Sequence, residues 1–390
     1  MAVLTAEHDA THRVAPPLRL GDVVVDTPVV LAPMAGITNA AYRQLCREQG
    51  AGLYVCEMIT SRGLIERDSK TMSMLQFDPG ETIRSVQLYG VDPATMAEAT
   101  DILCSEFGVA HVDLNFGCPV PKVTRKGGGA ALPWKRDLLA AILRATVRAA
   151  ARHGVPVTCK TRKGIDQQHL TFLDAGRIAE DSGVAAIALH GRTARQSYSG
   201  TADWDAIAEL KQHVSIPVLG NGDIWEASDA LSMVEQTGVD GVVVGRGCLG
   251  RPWLFRDLAD AFAGRTSRAL PSLGEVTATV RRHAELLIGL SNELRGLMDL
   301  RKHMGWYFKG FPVGGDLRRT LATVASLAEL DDLLGQLDPT VPFPETELGS
   351  PRGRQGSPKG KVVLPEGWLD SETGGCGLDL ADAEIGISGG

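Results

Sequence analysis

Ala185-Ala186-Ile187-Ala188-Leu189-His190-Gly191-Arg192 reads as five apolar residues that stop abruptly at a histidine and a turn. A strand that is apolar at every position has both faces covered, as in a parallel sheet flanked by helices, whereas a half-exposed strand alternates. Seven further apolar or β-branched runs occupy 28–32, 53–57, 83–88, 110–114, 155–159, 216–219 and 240–244, and with 184–189 they make eight. Between them, 93–106, 135–152, 170–181, 204–213 and 227–236 show helical periodicity. Strand alternating with helix predicts parallel pairing with right-handed crossovers, and eight units predict an α/β fold of the (β/α)8 TIM barrel type.

An open doubly wound sheet is the alternative, and the strand exits distinguish the two. In a barrel, functional groups collect at the carboxyl ends of many strands. The exits here are Pro33-Met34-Ala35, Glu57, Gln87, Asn115 with Cys118, Lys160 with Arg162, His190 with Arg192, Asn221-Gly222-Asp223 and Gly245-Arg246. Each is polar or turn-forming, which favours the barrel.

The barrel is expected over 23–265, after an N-terminal segment, 1–22, without periodic pattern. A small all-α helical domain is expected over 266–338, with amphipathic runs at 276–290 and 297–308. The Pro-, Gly- and Ser-rich stretch 339–390 is expected to lack fixed structure.

With 390 residues, 44% hydrophobic and 22% charged, the chain can bury a sizeable core. No basic segment followed by an apolar core opens it, and no window reaches membrane-spanning length, so a cytoplasmic protein is expected. The seven cysteines are odd in number and lack a CxxC pair, which points to neither a disulfide framework nor a metal site. A net charge of −7 weighs against a nucleic-acid partner. The distribution weakens that objection: Gly264 to Arg319 holds ten basic residues, Arg301 and Lys302 among them, against five acidic ones.

Asn221-Gly222-Asp223 and Gly245-Arg246-Gly247 follow the last two strands, where barrels frequently bind phosphate. Gly245 to Gly250 also matches GxGxxG, but Arg251-Pro252-Trp253 follows it instead of a helix and strand with an acid about twenty positions on, so a Rossmann unit is rejected. A phosphate loop for a mononucleotide such as FMN is more economical. Lys160 can reach such a cofactor and stabilise charge on a reduced flavin, and Gln87 can hydrogen-bond its edge. His190 is equally a satisfied structural group or a site residue on its residue type alone. Cys118 follows the strand 110–114 within Asn115-Phe116-Gly117-Cys118-Pro119. An ordinary thiol, with a pKa of about 8.5, is mostly protonated at neutral pH and can donate a proton to an activated double bond that receives hydride from a flavin. An isolated cysteine is also commonly a small core residue.

Four separated stretches in order add weight to the functional reading of that thiol. Leu31-Ala32-Pro33-Met34-Ala35-Gly36-Ile37-Thr38 comes first. Asn115 to Pro119 with Lys122 to Leu132 follows, then Leu189 to Thr193, and finally Gly220-Asn221-Gly222-Asp223-Ile224. Together they resemble the tRNA-dihydrouridine synthases, particularly the bacterial DusB-like branch, over Leu31 to Pro312. The resemblance implies an FMN barrel whose helical domain helps hold tRNA, reducing the C5–C6 double bond of particular uridines at the expense of NADPH. It implies Pro33, Met34, Ala35, Gln87 and Lys160 at the flavin, with His190 near it. Asn221, Gly222, Asp223, Gly245 and Arg246 fall toward the ribityl phosphate, and Cys118 becomes the acid for uracil C5. Asn115, Lys122, Arg125, Lys126, Arg162, Arg192, Arg301 and Lys302 are the expected substrate contacts. An FMN barrel acting on a small molecule, like dihydroorotate dehydrogenase or an enoate reductase, and a non-catalytic RNA-binding barrel are the rival readings.

Overall fold

The computed structural model describes residues 14–358 and 360–374. A hairpin of β1 (Leu18–Leu20) and β2 (Val23–Val25) precedes eight strands: β3 (Val29–Leu31), β4 (Leu53–Thr60), β5 (Ser85–Tyr89), β6 (His111–Phe116), β7 (Val157–Arg162), β8 (Ala186–His190), β9 (Val218–Asn221) and β10 (Gly241–Val244). All eight pair in parallel, each with its neighbours in sequence, and β10 returns to β3 through Val242 opposite Val29, closing the barrel. The chain is therefore a TIM barrel with a helical region after it.

Five of the observed strands, β5 to β9, begin and end later than the apolar runs. Apolar 155–159 becomes Val157–Arg162, and 110–114 becomes His111–Phe116. Backbone pairing in a closed barrel continues beyond the apolar layer, because polar side chains at the rim can face the water-filled mouth while their main chain stays bonded. Register then sets functional groups side by side. Gln87 lies opposite Asp113, Asn115 opposite Lys160, Arg162 opposite His190, and His190 opposite Asn221.

Outside the strands, helix Pro93–Phe107 starts with proline in its first turn under an Asp92 cap and ends at left-handed Gly108. It packs against helix Arg136–Ala151, and Leu103, Ile142 and Leu143 are fully buried in the main core. Burial of each such side chain contributes roughly 2 kcal/mol.

At both chain ends the described residues make contacts that no periodic pattern announces. The N-terminal segment supplies β1, whose Leu18 and Leu20 join Val25, Val30, Leu53 and Ala186 in a buried cluster. Three residues are too few to display a period. The stretch after 338 packs back on the molecule: Phe343, Arg352, Val362 and Trp368 are buried. Isolated large side chains seated in existing grooves leave no periodic signal in a segment otherwise rich in glycine and proline. Residues 1–13, 359 and 375–390 lie outside the described residues.

In the helical region, Leu273–Leu290 opens with a Ser272–Glu275 capping box, which carries the helix three residues ahead of the amphipathic run at 276–290. Helix Glu293–Tyr307 packs against it, followed by Gly315–Leu321 and Leu327–Leu334. Val276, Val280, Leu297, Leu300 and Leu330 share a core with Ala41 and Trp253 of the barrel. No described helix is long and apolar enough to cross a membrane.

Candidate active site

A cavity of about 500 Å3 opens at the carboxyl ends of the strands. Pro33, Met34 and Ala35 form part of its wall, with Gln87, Asn115, Cys118, Lys122, Lys160, Arg162, His190, Asn221, Gly222, Asp223, Gly245 and Arg246. Residues from the exits of seven strands, far apart in the chain, thus meet at one site.

The thiol loop is held from three sides. The Asn115 side-chain oxygen accepts the N–H groups of Gly117 at 3.0 Å and Cys118 at 2.9 Å. The Cys118 carbonyl accepts Ala130 N–H at 3.0 Å, and Arg162 Nε donates to the Gly117 carbonyl at 2.8 Å. Cys118 itself is half-buried.

Beneath the loop runs a buried polar chain. Asn115 Nδ2 donates to Gln87 Oε1 at 2.8 Å, Gln87 Nε2 donates to Asp113 Oδ2 at 2.6 Å, and Thr158 Oγ1 donates to Asp113 Oδ1 at 2.6 Å. Burial raises the Asp113 carboxyl above its ordinary value against those hydrogen bonds. Burial likewise pushes the Lys160 ammonium down to about 7, with the Arg162 charge adding to the effect and Asp113 opposing it. His190 is held well below its ordinary value, first by burial and then by Arg162, Lys160, Arg192 and Arg246. Its imidazole is neutral at physiological pH.

Lys122, Lys160, Arg162, Arg246 and Arg354 line the cavity, against one carboxylate, Asp223, among the described residues. That carboxylate is already engaged. Arg192 Nη2 donates to both its oxygens at 2.8 and 2.7 Å, Ala202 N–H donates at 2.7 Å, and Arg246 lies 3.6 Å away. Asp223 therefore organises two arginines and is not itself turned to an anion. The Arg246 guanidinium is stacked between the rings of Tyr198 and Trp225, 4.7 and 5.0 Å from their centroids.

Some expected contacts lie elsewhere. Arg192 is buried on Asp223 and the carbonyls of Ser199 and Gly200, so it braces the loop after β8 and does not border the cavity. Arg125 and Lys126 directly follow the short helix Pro121–Thr124 and are not part of the cavity wall. Arg301 donates to the Val324 carbonyl at 2.9 Å within the helical region. Lys302 lies 3.3 Å from Asp299 and reaches toward Gly36 at the barrel mouth, where Glu57 accepts the Gly36 N–H. Asp113, Tyr198, Trp225, Trp306 and Arg354 escaped the sequence reading. Trp306 belongs to a helix whose periodicity marks it as core, and Asp113 stands inside an apolar run.

A parallel barrel with a cation-lined mouth and a thiol at a strand exit defines a TIM-barrel enzyme site suited to an anionic ligand. The dihydrouridine synthase (Dus) family model matches residues 30–339. A Mycobacterium tuberculosis protein named probable tRNA-dihydrouridine synthase is 58% identical over 91% of this chain and 93% of its own length. The tRNA-dihydrouridine synthase B of Pseudomonas aeruginosa is 42% identical over 77% of this chain and 90% of its own. The chain belongs to the dihydrouridine synthase family. Among solved structures, histamine dehydrogenase from Rhizobium sp. 4-9 shares the barrel fold, with a TM-score of 0.51 at 12% identity; the match covers 70% of this chain and 51% of that one, so the chain spans about half its length.

Proposed function

We propose that this chain is a tRNA-dihydrouridine synthase that adds two hydrogens across the C5–C6 double bond of uridines in tRNA, with FMN as resident cofactor and NADPH as reductant. The observation that carries the reading is the Cys118 thiol on the wall of a cavity lined by Lys160, Arg162 and Arg246. The names of the two bacterial relatives support tRNA as the substrate.

The donor set suits FMN. Pro33, Met34, Ala35, Gln87 and Lys160 would border its ring, and Arg246 with the main chain at Gly222 and Gly245 would take its phosphate. When bound, FMN supplies the hydride for uracil C6. Cys118 supplies the proton: its S–H bond breaks as a C–H bond forms at C5, and the thiolate left behind is reprotonated from solvent. The Arg162 guanidinium, which interacts electrostatically with the Cys118 sulfur, stabilises that thiolate. Neutral His190 serves as a hydrogen-bonding group. The cavity is walled by the strand ends and the loops that follow them, so a target base must leave its stack to enter.

Mass spectrometry of nuclease-digested, unmodified tRNA after incubation with the protein, FMN and NADPH tests the reading. A uridine that gains two hydrogens supports it. NADPH-driven flavin reduction with no such product across a full tRNA pool would replace it with a small-molecule reductase.

A further inference from the structure

The segment after the helical region crosses back over the mouth of the barrel. Arg352, buried, donates to the carbonyls of Leu249 at 3.3 Å and Trp306 at 2.8 Å, joining the loop after β10 to the helical region. Two residues on, Arg354 lines the cavity, and its carbonyl accepts Arg246 Nη1 at 2.8 Å. The segment is pinned again beyond the cavity. The Trp368 indole donates to the Ala131 carbonyl at 3.0 Å, and its ring fills the space of a side chain at Gly127, where an added Cβ would stand 2.5 Å from it. Arg136 pairs with Glu372 at 2.9 Å, and Lys135 donates to the Ser371 carbonyl. Gly127 and Ala131 both belong to the stretch that backs the Cys118 loop.

We propose that residues 349–358 and 360–374 form an active-site strap, and that Arg354 binds a backbone phosphate of the RNA substrate at the cavity rim. The proposal rests on the tRNA reading above and extends it to a segment beyond residue 339, where the family match ends. The two arginines divide the work by position. Arg246 is inboard, held by Asp223, Tyr198, Trp225 and the strap carbonyl, and so serves the inner anion site. Arg354 is exposed at the rim, and no carboxylate pairs with it among the described residues. A polynucleotide entering from solvent meets Arg354, whereas a phosphate held deep in the cavity meets Arg246. Anchors on both sides, at Arg352 and Trp368, hold the strap there without the RNA, which lowers the ordering cost of binding.

Full-length Arg354→Ala, Arg354→Glu and Arg354→Lys proteins test the assignment by steady-state dihydrouridine formation on unmodified tRNA across a salt series, with FMN content measured by absorbance. Arg354→Ala should raise KM for tRNA several-fold and make its salt slope shallower by about 1, with kcat at saturating RNA retained. Arg354→Glu should raise KM further, and Arg354→Lys should restore most of the affinity. Wild-type KM and salt slope in both the Ala and Glu variants would overturn the proposal, as would a loss confined to FMN retention. A wild-type protein that forms no dihydrouridine would take down the tRNA reading and this extension together; an active wild type with an indifferent Arg354→Glu variant takes down the strap alone.

Discussion

Gly129 presses directly on Cys118. With a φ of +55°, Gly129 stands where an added Cβ would lie 2.5 Å from the Cys118 carbonyl oxygen and 3.1 Å from its Cβ. Gly129→Ala is therefore expected to cost about 1–3 kcal/mol through the left-handed backbone alone, and to displace the thiol loop. Thermal unfolding should show a lowered Tm, and turnover at saturating tRNA should fall more than KM for tRNA rises. An unchanged kcat would mean that the loop absorbs the methyl group without moving the thiol.

Removal of the thiol should separate the two halves of the reaction. Cys118→Ala is expected to bind FMN and accept electrons from NADPH at near wild-type rates, while dihydrouridine formation falls by roughly 10²- to 10⁴-fold, the usual worth of a positioned acid. Single-turnover rates measured separately for flavin reduction and for its reoxidation by tRNA check this. Equal losses in both halves would point to collapse of the pocket.

Lys160 makes stability depend on pH with a definite sign. Its folded-state pKa is about 7 against an ordinary 10.5, so above pH 7 the unfolded chain holds a proton that the folded one has released. Stability attributable to this group therefore rises as pH increases from 7 toward 10.5, and is lost as pH falls to 7. Between pH 7 and 8.5 the cofactor-free protein should gain stability in denaturant relative to Lys160→Met, which lacks the titrating amine. Above that window the buried thiol of Cys56 and the half-buried thiol of Cys104, both pushed up to about 11, act in the opposite direction. A parallel pH course for the two proteins would place the Lys160 ammonium in ordinary solvent.

Arg301 and Lys302 should separate although they are adjacent. Arg301 caps the Val324 carbonyl, so Arg301→Ala should lower Tm at a cost of about 1 kcal/mol and leave the salt dependence of tRNA binding unchanged. Lys302 is exposed and reaches toward Gly36, so Lys302→Ala should weaken tRNA binding and flatten its salt slope by about 1. Filter binding over a salt series distinguishes them, and identical slopes for both variants would remove Lys302 from the footprint.

Trp368 gives the C-terminal stretch its stability. Trp368→Ala removes a buried ring and its hydrogen bond to Ala131, an expected loss of about 3 kcal/mol, and should expose the segment after residue 349 to protease. A cleavage pattern like that of wild type would show that the remaining contacts of Val362, Leu364 and Leu369 hold it alone.

Repetition made the barrel readable from sequence, since eight apolar runs separated by helical periods admit few closures, and most runs lead into polar or turn-forming residues. The rim residues that came together, from Pro33 to Arg246, were legible for the same reason: in a parallel barrel every strand exit faces the same end. Direction was not legible. Arg192 stands at a strand exit like Arg162, yet it turns onto Asp223 and two carbonyls, because a side chain's rotamer depends on which partners the neighbouring loops present. Asp113 is a lone acid in an apolar strand, and only the register that sets it beside Gln87 and Thr158 gives it partners.

The chain order of apolar and polar residues thus determined the strands, their parallel pairing and the end of the barrel where chemistry collects, because those depend on local periodicity and on burial. Tertiary structure alone decided which cations enter the cavity, how Asn115 grips the Cys118 loop, and that Arg352 and Trp368 draw the last described residues across the mouth. These are single contacts between groups far apart in sequence, and a single contact has no period to read.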